Sequence, residues 1–150
     1  MGGADARPQG VQEIIGSDAE IPRYHALVIG INDYQHMQGL RQAREDAEHV
    51  AGLLGKRYGY QDVRTLYDRA ATREAIETAV RRLAKELTAQ DALLIYFSGH
   101  GYFDSLIKKG YWIPSEARES LPDGDPATMD WVHHTQLKEY ISSMKAGWRG

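Results

Sequence analysis

The chain has 150 residues, of which 42% are hydrophobic, and its formal net charge is −3. A chain of this length is expected to fold as one domain with a core of its own. Acidic and basic residues are interspersed, so the sequence offers no basic face for nucleic acid and no polybasic segment for a membrane surface. No apolar run approaches the roughly 20 residues of a transmembrane helix, and we expect a cytoplasmic protein.

Cysteine is absent from the sequence. This composition fits a reducing compartment, and it excludes a thiol nucleophile anywhere in the chain. The six histidines show no zinc-binding spacing, and Asp123 and Asp125 are too few acids for a calcium site and instead predict a turn. We therefore expect no metal and no cofactor.

The chain begins with a segment whose composition differs from the rest. Residues 1–22 are rich in Gly, Ala and Asp, which predicts a flexible N-terminal tail or linker. The domain is then expected over residues 23–150. Its first element is the continuous apolar run 26–31, which is short and rich in β-branched residues and so predicts a buried strand. Residues 32–40 follow as a loop.

Helical and strand patterns then alternate. Residues 43–54 have apolar positions at helical spacing and acids in the first turns, residues 62–67 predict a strand, and Thr72 can cap a helix whose apolar stripe extends to Leu87. Residues 92–97 predict a third buried strand. Alternation of this kind indicates βαβ units, and right-handed crossovers then give an α/β fold with a mostly parallel sheet and helices on both faces.

The pattern becomes looser after Gly101. Residues 111–114 predict a short strand, and residues 115–134 predict a long loop rich in Pro, Gly and Asp. A loop of that length inside a compact domain is usually functional or disordered. Residues 135–144 predict a final helix.

The sequence Ser98-Gly99-His100-Gly101 directly follows the third predicted strand. Because ligands of open parallel sheets bind at the carboxyl ends of the strands, this segment and the loop 32–40 are expected to border one crevice. A histidine there can act as general acid or base, and the Gly101 N–H can stabilise an oxyanion. From the local pattern alone, a hydrogen-bonded surface histidine is the commoner interpretation.

Four segments together resemble the caspase-like cysteine peptidases, in particular bacterial relatives of the metacaspases. They are residues 27–34, 40–47, 91–101 and 111–114, and the resemblance spans roughly residues 24–145 in order. It implies a caspase-like α/β sandwich, with a mostly parallel central sheet that is incomplete at its C-terminal side.

The resemblance implies a role for His100 and Gly101. In this family the histidine works with a cysteine about 50 residues downstream, and the thiolate attacks the substrate while the imidazolium protonates the leaving amine. The Gly101 N–H would contribute to the oxyanion hole. A position about 50 residues after His100 falls at the end of this chain. We therefore interpret the chain as the large-subunit portion of a cysteine endopeptidase, inactive alone. Its partners would be a protein or peptide substrate and the remaining small subunit.

Asp46 is the candidate substrate-binding residue. Its local explanation is an acid in the first turn of a helix, stabilised by the helix dipole. The resemblance to metacaspases implies that it lines the pocket for the residue before the scissile bond and selects Arg or Lys. Caspases that cleave after Asp place an Arg about six positions earlier, where this chain has Leu40. Arg41 is adjacent, which keeps a preference for Asp as the alternative.

The main alternative function is a non-catalytic one. A pseudoprotease that binds peptides or serves as a scaffold shares the fold and needs no cysteine. A serine hydrolase based on Ser98 lacks the first glycine of the nucleophile elbow, and the segment after Gly30 lacks the glycines of a dinucleotide-binding site. If the sheet is incomplete, its open edge and uncovered apolar surface predict association of the isolated chain.

Overall fold

A computed structural model describes residues 22–144 of the chain. The tail predicted for residues 1–22 lies outside the described residues, apart from Pro22. The described elements, in chain order, are β1 (Arg23–Gly30), α1 (Ala43–Lys56), β2 (Asp62–Tyr67), α2 (Arg73–Glu86), β3 (Asp91–Ser98), β4 (Gly101–Asp104), β5 (Lys109–Trp112), β6 (Val132–His133) and α3 (His134–Ser142).

The first of two sheets is parallel and has the strand order β2-β1-β3. His25 of β1 lies opposite Asp62 of β2 and Leu93 of β3. β1 is the central strand, and its continuous apolar run reflects burial of both faces. The parallel sheet predicted from the sequence is thus confirmed, and β1 begins three residues earlier than the predicted run 26–31.

Helices cover both faces of this sheet, as predicted. Leu27 and Ile29 belong to the core that contains the apolar stripe of α2, whereas Ala26 and Val28 pack with α1. All four side chains are fully buried. This division follows from the alternation of side chains along a strand. The helices cover the faces of the sheet, and the loops after the strands lie at its carboxyl end.

The two crossover helices begin where the sequence places them. In α2 the Thr72 hydroxyl accepts a hydrogen bond from the Ala75 N–H at 3.0 Å, so the predicted cap is confirmed. In α1 the acids Glu45 and Asp46 occupy the first turn. The helix α1 lies so close to β1 that a Cβ added at Gly30 would be 2.5 Å from the Ala47 Cβ.

A second, antiparallel sheet with the order β4-β5-β6 follows the parallel one. Gly101 pairs with Trp112, and Tyr111 pairs with His133. The sequence predicts only one strand here, at residues 111–114, and β5 begins two residues earlier. β4 was missed because its side chains, including Phe103 with 60% exposure, do not alternate between a buried and a solvated face.

The segment predicted as a long loop is held by specific contacts. Arg118 pairs with Asp130 at 2.7 Å, and the Trp131 indole N–H donates to the Arg118 carbonyl at 2.9 Å. The turn predicted for Asp123 and Asp125 is present, because the Asp125 N–H donates to the Asp123 carboxylate. The segment ends in β6, and α3 begins one residue before the predicted helix.

Candidate functional site

His100 lies two residues after the end of β3, at the carboxyl end of the parallel sheet, as the sequence predicted. Its imidazole Nε2 is 2.9 Å from the backbone carbonyl oxygen of Gln38. Because a carbonyl can only accept, Nε2 carries the proton, and in the neutral ring the lone pair is then on Nδ1. The loop after β1 and the loop after β3 therefore border one crevice.

Tyr34, on the loop after β1 that also contains Gln38, contacts His100. Its hydroxyl oxygen accepts a hydrogen bond from the His100 backbone N–H at 2.8 Å, and the two ring centroids are 4.7 Å apart. Burial raises the pKa of Tyr34 to about 12. The hydroxyl consequently stays protonated across the pH range in which imidazole titrates.

Gly99 permits this contact because it has no side chain. A Cβ at this position would be 2.6 Å from the Tyr34 hydroxyl oxygen and 3.0 Å from Cζ of Phe97. Both neighbours are aromatic side chains that are buried or half-buried. The glycine before the histidine thus has a packing reason, which the sequence pattern alone does not reveal.

Gly101 presents its backbone away from the rest of the hairpin. The Ile113 N–H donates to the His100 carbonyl at 3.0 Å. In an antiparallel ladder this makes Gly101 and Trp112 a pair that shares no hydrogen bonds, so the Gly101 N–H points away from β5. Gly101 is exposed, and a donor in this orientation can bind an anion next to His100.

Asp68, at the end of β2, binds the loop that carries Tyr34. One carboxylate oxygen accepts the backbone N–H groups of Asn32 and Asp33 at 2.8 and 3.1 Å, and the other is 2.8 Å from Arg44 Nη1. Partial burial alone would raise the pKa of Asp68, but Arg44 and the two N–H donors outweigh burial and lower this pKa. Asp68 has φ = 50°, a left-handed conformation that Asp tolerates better than most residues.

Asn32 connects the same loop to α1. Its side-chain oxygen accepts the Arg44 N–H at 3.1 Å, and its amide nitrogen donates to the Glu45 carboxylate at 2.9 Å. The hydrogen bond from Asn32 lowers the pKa of Glu45. Glu45, rather than Asp46, is therefore the first-turn acid that bonds to the loop.

Asp46 is exposed in the first turn of α1. Among residues 22–144, no Lys, Arg or His side-chain nitrogen lies within ion-pair distance of its carboxylate. The two cavities next to His100 and Gly101 are lined by other residues. The structure thus brings His100 and Gly101 together, and it shows no contact between Asp46 and either of them.

Two cavities flank the segment from Gly99 to Gly101. A cavity of about 680 Å³ lies toward β3 and β5, with Phe97 and Trp112 in its wall. These two rings stack with their centroids 4.6 Å apart. A second cavity of about 470 Å³ contains His100 itself, next to the Gln38 segment. Gly101 lines both cavities, so an extended ligand can reach it from either side.

The outer edge of β3 is open in the part of the chain that the structure describes. β3 pairs with β1 alone, and Leu94 on this strand has 39% exposure. An apolar groove of about 320 Å³ runs beside it, between β3 and α3. Its lining residues are Leu93, Leu94, Ile95, Trp112, His134, Leu137, Lys138 and Ile141.

Residues 22–144 contain no group of three or more His, Asp or Glu side chains placed to hold a metal ion. In the same residues, no helix is both long enough and apolar enough to cross a membrane.

Three contributors to the site were not predicted from the sequence. Tyr34 stood in a segment that carried the family resemblance but had no assigned role. The Gln38 carbonyl belongs to the main chain, which side-chain patterns do not describe. Asp68 had no signal, because a single acid after a strand is common. An Asn-Asp-Tyr run close behind a buried strand would have been the best available clue to Tyr34.

Comparison with known proteins places the chain in a peptidase family. The family described as "Caspase domain", a peptidase family, matches residues 23–142. Metacaspase-1 of Schizosaccharomyces pombe is 36% identical over 84 residues, which cover 51% of this chain and 20% of that protein. Metacaspase-1 of Kluyveromyces lactis is 34% identical over 87 residues, covering 53% and 20% respectively. The chain therefore spans about a fifth of the length of these curated relatives.

The fold comparison extends further along the chain. A crystal structure of a protein from Geobacter sulfurreducens superposes with a TM-score of 0.65 at 23% sequence identity. The match covers 83% of this chain and 47% of that protein. At this identity the likeness concerns the fold alone. Together with the caspase-domain family match, it supports the predicted caspase-like α/β architecture.

Proposed function

Because this chain belongs to the caspase-domain family, we propose that it carries the histidine half of a Cys/His endopeptidase site, with His100 as its general acid and base. One observation carries the proposal. The imidazole is held at the end of β3 with Nε2 on the Gln38 carbonyl, so Nδ1 is the nitrogen available for proton transfer. Gly101 follows immediately with an N–H that points away from its hairpin partner.

These groups fit the chemistry of amide hydrolysis by a thiolate. Nδ1 of His100 would take the proton of a cysteine thiol, and the resulting imidazolium would deliver a proton to the amine that leaves. The Gly101 N–H would bind the oxyanion of the tetrahedral intermediate, a type of contact worth about 10²–10³ in rate. The Gln38 carbonyl would stabilise the imidazolium by accepting from Nε2.

In this proposal the nucleophile is a cysteine from polypeptide other than residues 1–150, which contain no cysteine. The open edge of β3 and its apolar groove of about 320 Å³ support docking of a further strand there. Such a strand would run beside β3 and end near Gly101. We propose that this small-subunit portion is the chain's structural partner, and that a cytoplasmic location keeps its thiol reduced.

For specificity we propose that Asp46 contributes to the pocket for an Arg or Lys before the scissile bond. Its carboxylate is exposed and lies in the first turn of α1, the helix that Asn32 connects to the loop after β1, which carries Tyr34 and Gln38 beside His100. An exposed carboxylate can pair with a substrate cation without first breaking an internal ion pair. Leu40 stands where a preference for Asp would require Arg.

One observation favours a second candidate function. The given chain has the fold and the histidine but no thiol, which is what a peptide-binding pseudoprotease or scaffold would show. Such a protein would bind peptides in the cavities beside His100 without hydrolysing them.

Expression of this chain together with any coding sequence that continues beyond Gly150 distinguishes the two functions. The proposal expects cleavage of Arg or Lys fluorogenic peptides in preference to Asp peptides. It also expects loss of turnover in His100→Ala and a raised KM for basic peptides in Asp46→Asn. Peptide binding without turnover in the complete protein would contradict the peptidase and support the pseudoprotease.

A further inference from the structure

We propose that Tyr34 is the positioning residue of His100, fixing both the backbone and the ring of the histidine. The catalytic importance of this positioning rests on the proposed function. The contacts between Tyr34 and His100 themselves do not depend on a nucleophile. Tyr34 touches His100 at two places, through the hydroxyl oxygen at 2.8 Å from the backbone nitrogen and through ring packing at 4.7 Å.

The two polar backbone groups of His100 are bonded to different parts of the fold. The carbonyl of His100 is bonded to the Ile113 N–H of the hairpin at 3.0 Å. The N–H of His100 has Tyr34 as its acceptor, from the loop on the other side. The peptide groups around His100 are therefore fixed between two separate parts of the fold, and loss of the Tyr34 oxygen frees one of them.

The ring contact acts together with the Gln38 carbonyl. Tyr34 and Gln38 lie on the same loop, so a shift of that loop moves both the packing surface and the acceptor of Nε2. The loop is in turn bound to Asp68 through the N–H groups of Asn32 and Asp33. Tyr34 is thus the side chain that transmits the position of this anchored loop to the imidazole.

Gly99 supplies an independent geometric constraint on the same contact. A Cβ there would approach the Tyr34 hydroxyl oxygen to 2.6 Å, so Gly99→Ala displaces that oxygen unless the backbone moves. In a Tyr34→Phe background the oxygen is already gone. The effect of Gly99→Ala on His100 is therefore expected to be smaller in that background, which a generally disruptive substitution would not show.

The test measures His100 directly in the full chain by NMR. In the parent chain the two-bond ¹⁵N–¹H spectrum should show His100 protonated mainly on Nε2, and its amide should exchange slowly with solvent. Tyr34→Phe should raise the population with the proton on Nδ1 and speed amide exchange about 10-fold or more. The matched control is Tyr60→Phe, which removes another partly buried hydroxyl, beside Tyr24 at the start of β1, and should leave both readouts unchanged.

Two outcomes would overturn the inference. One is a His100 tautomer population and amide exchange rate in Tyr34→Phe equal to those of the parent chain. The other is an equal response to Tyr60→Phe, which would show a general loss of stability. In the complete enzyme, Tyr34→Phe is expected to lower kcat by about 10–100-fold with little change in KM. If the peptidase proposal fails, all variants lack turnover while the NMR difference persists, so the two failures are distinguishable.

Discussion

Asp68 and Arg44 form an ion pair, with Oδ2 and Nη1 2.8 Å apart, that joins the end of β2 to the first turn of α1. The Arg44 guanidinium also lies over the Tyr67 ring, 5.2 Å from its centroid. Asp68 also accepts the backbone N–H groups of Asn32 and Asp33 in the loop after β1. The ion pair therefore anchors the loop that carries Tyr34 and Gln38 beside His100. The guanidinium of Arg44 thus supports the geometry of the site through Asp68.

Removal of the Asp68 carboxylate should destabilise the fold. Asp68→Ala is expected to lower the free energy of unfolding by about 2–4 kcal/mol, because it removes hydrogen bonds to a charged group and leaves Ala in a left-handed conformation. Urea unfolding followed by circular dichroism measures the change. Asp33→Asn, which removes only an exposed pair with Arg69, is the control and should stay within about 0.5 kcal/mol.

The Asp68 contribution should also depend on pH. Its pKa is lowered in the folded state, so its stabilisation is present above the unfolded-state pKa of about 3.9 and is lost as pH falls through the lower folded-state value. The difference in unfolding free energy between the parent chain and Asp68→Asn should therefore shrink below about pH 4. A difference that stays constant from pH 7 to pH 3 would contradict this assignment.

Two glycines, Gly30 at the contact of β1 with α1 and Gly52 on the open side of α1, should respond in opposite directions. Gly30→Ala places a Cβ 2.5 Å from the Ala47 Cβ and should cost about 1–3 kcal/mol through overpacking. Gly52→Ala lies within α1 with open space at the Cβ position and should stabilise by about 0.5–1 kcal/mol. Thermal unfolding of both variants tests the close packing, and stabilisation by Gly30→Ala would refute it.

His25 is a buried polar residue at the opposite end of the sheet from His100. Its Nδ1 is 2.8 Å from Asp62, and its Nε2 is 3.5 Å from Asp91. His25→Ala should lower the unfolding free energy by about 2–4 kcal/mol, since it leaves a cavity and removes the hydrogen bond between Nδ1 and Asp62. His49→Ala, at an exposed position in α1, is the control. Equal small effects of the two variants would show that His25 has no structural role.

The open edge of β3 predicts association of the isolated chain. An exposed strand edge with an apolar groove beside it favours pairing between copies. Sedimentation velocity should show concentration-dependent association of the parent chain and less association in Leu94→Lys, which places a charge on the edge. Tyr58→Lys changes another partly exposed apolar residue away from this edge and serves as control. A monodisperse monomer that melts cooperatively would contradict the prediction.

The parallel sheet was predictable because its determinants are local. The continuous apolar runs reflect strands covered on both faces, the periodic stripes reflect helices with one buried face, and Thr72 bonds within its own helix turn. The position of His100 followed from the rule that parallel strands present their carboxyl ends at one edge.

The rest of the site depends on contacts between residues far apart in sequence. Tyr34 and His100 are 66 positions apart, and Asp68 binds Asn32 across 36 positions. Nothing in a local window shows these pairs. The pairing of β4 with β5 was missed for a different reason. The turn between these strands exposes Leu106 at 89% and Ile107 at 52%, so apolar residues there do not mark a buried face.

The pairing of β1 with β3 has a consequence for how the site forms during folding. Residues in register across these strands, such as Gly30 and Ser98, are separated by an entire helix–strand–helix unit. Closure of such a long loop is costly in entropy, so parallel pairing of this kind is slow. The crevice beside His100 can exist only after this step. We therefore expect its assembly to be a late event, and refolding followed at Trp112 should lag behind the recovery of helical signal.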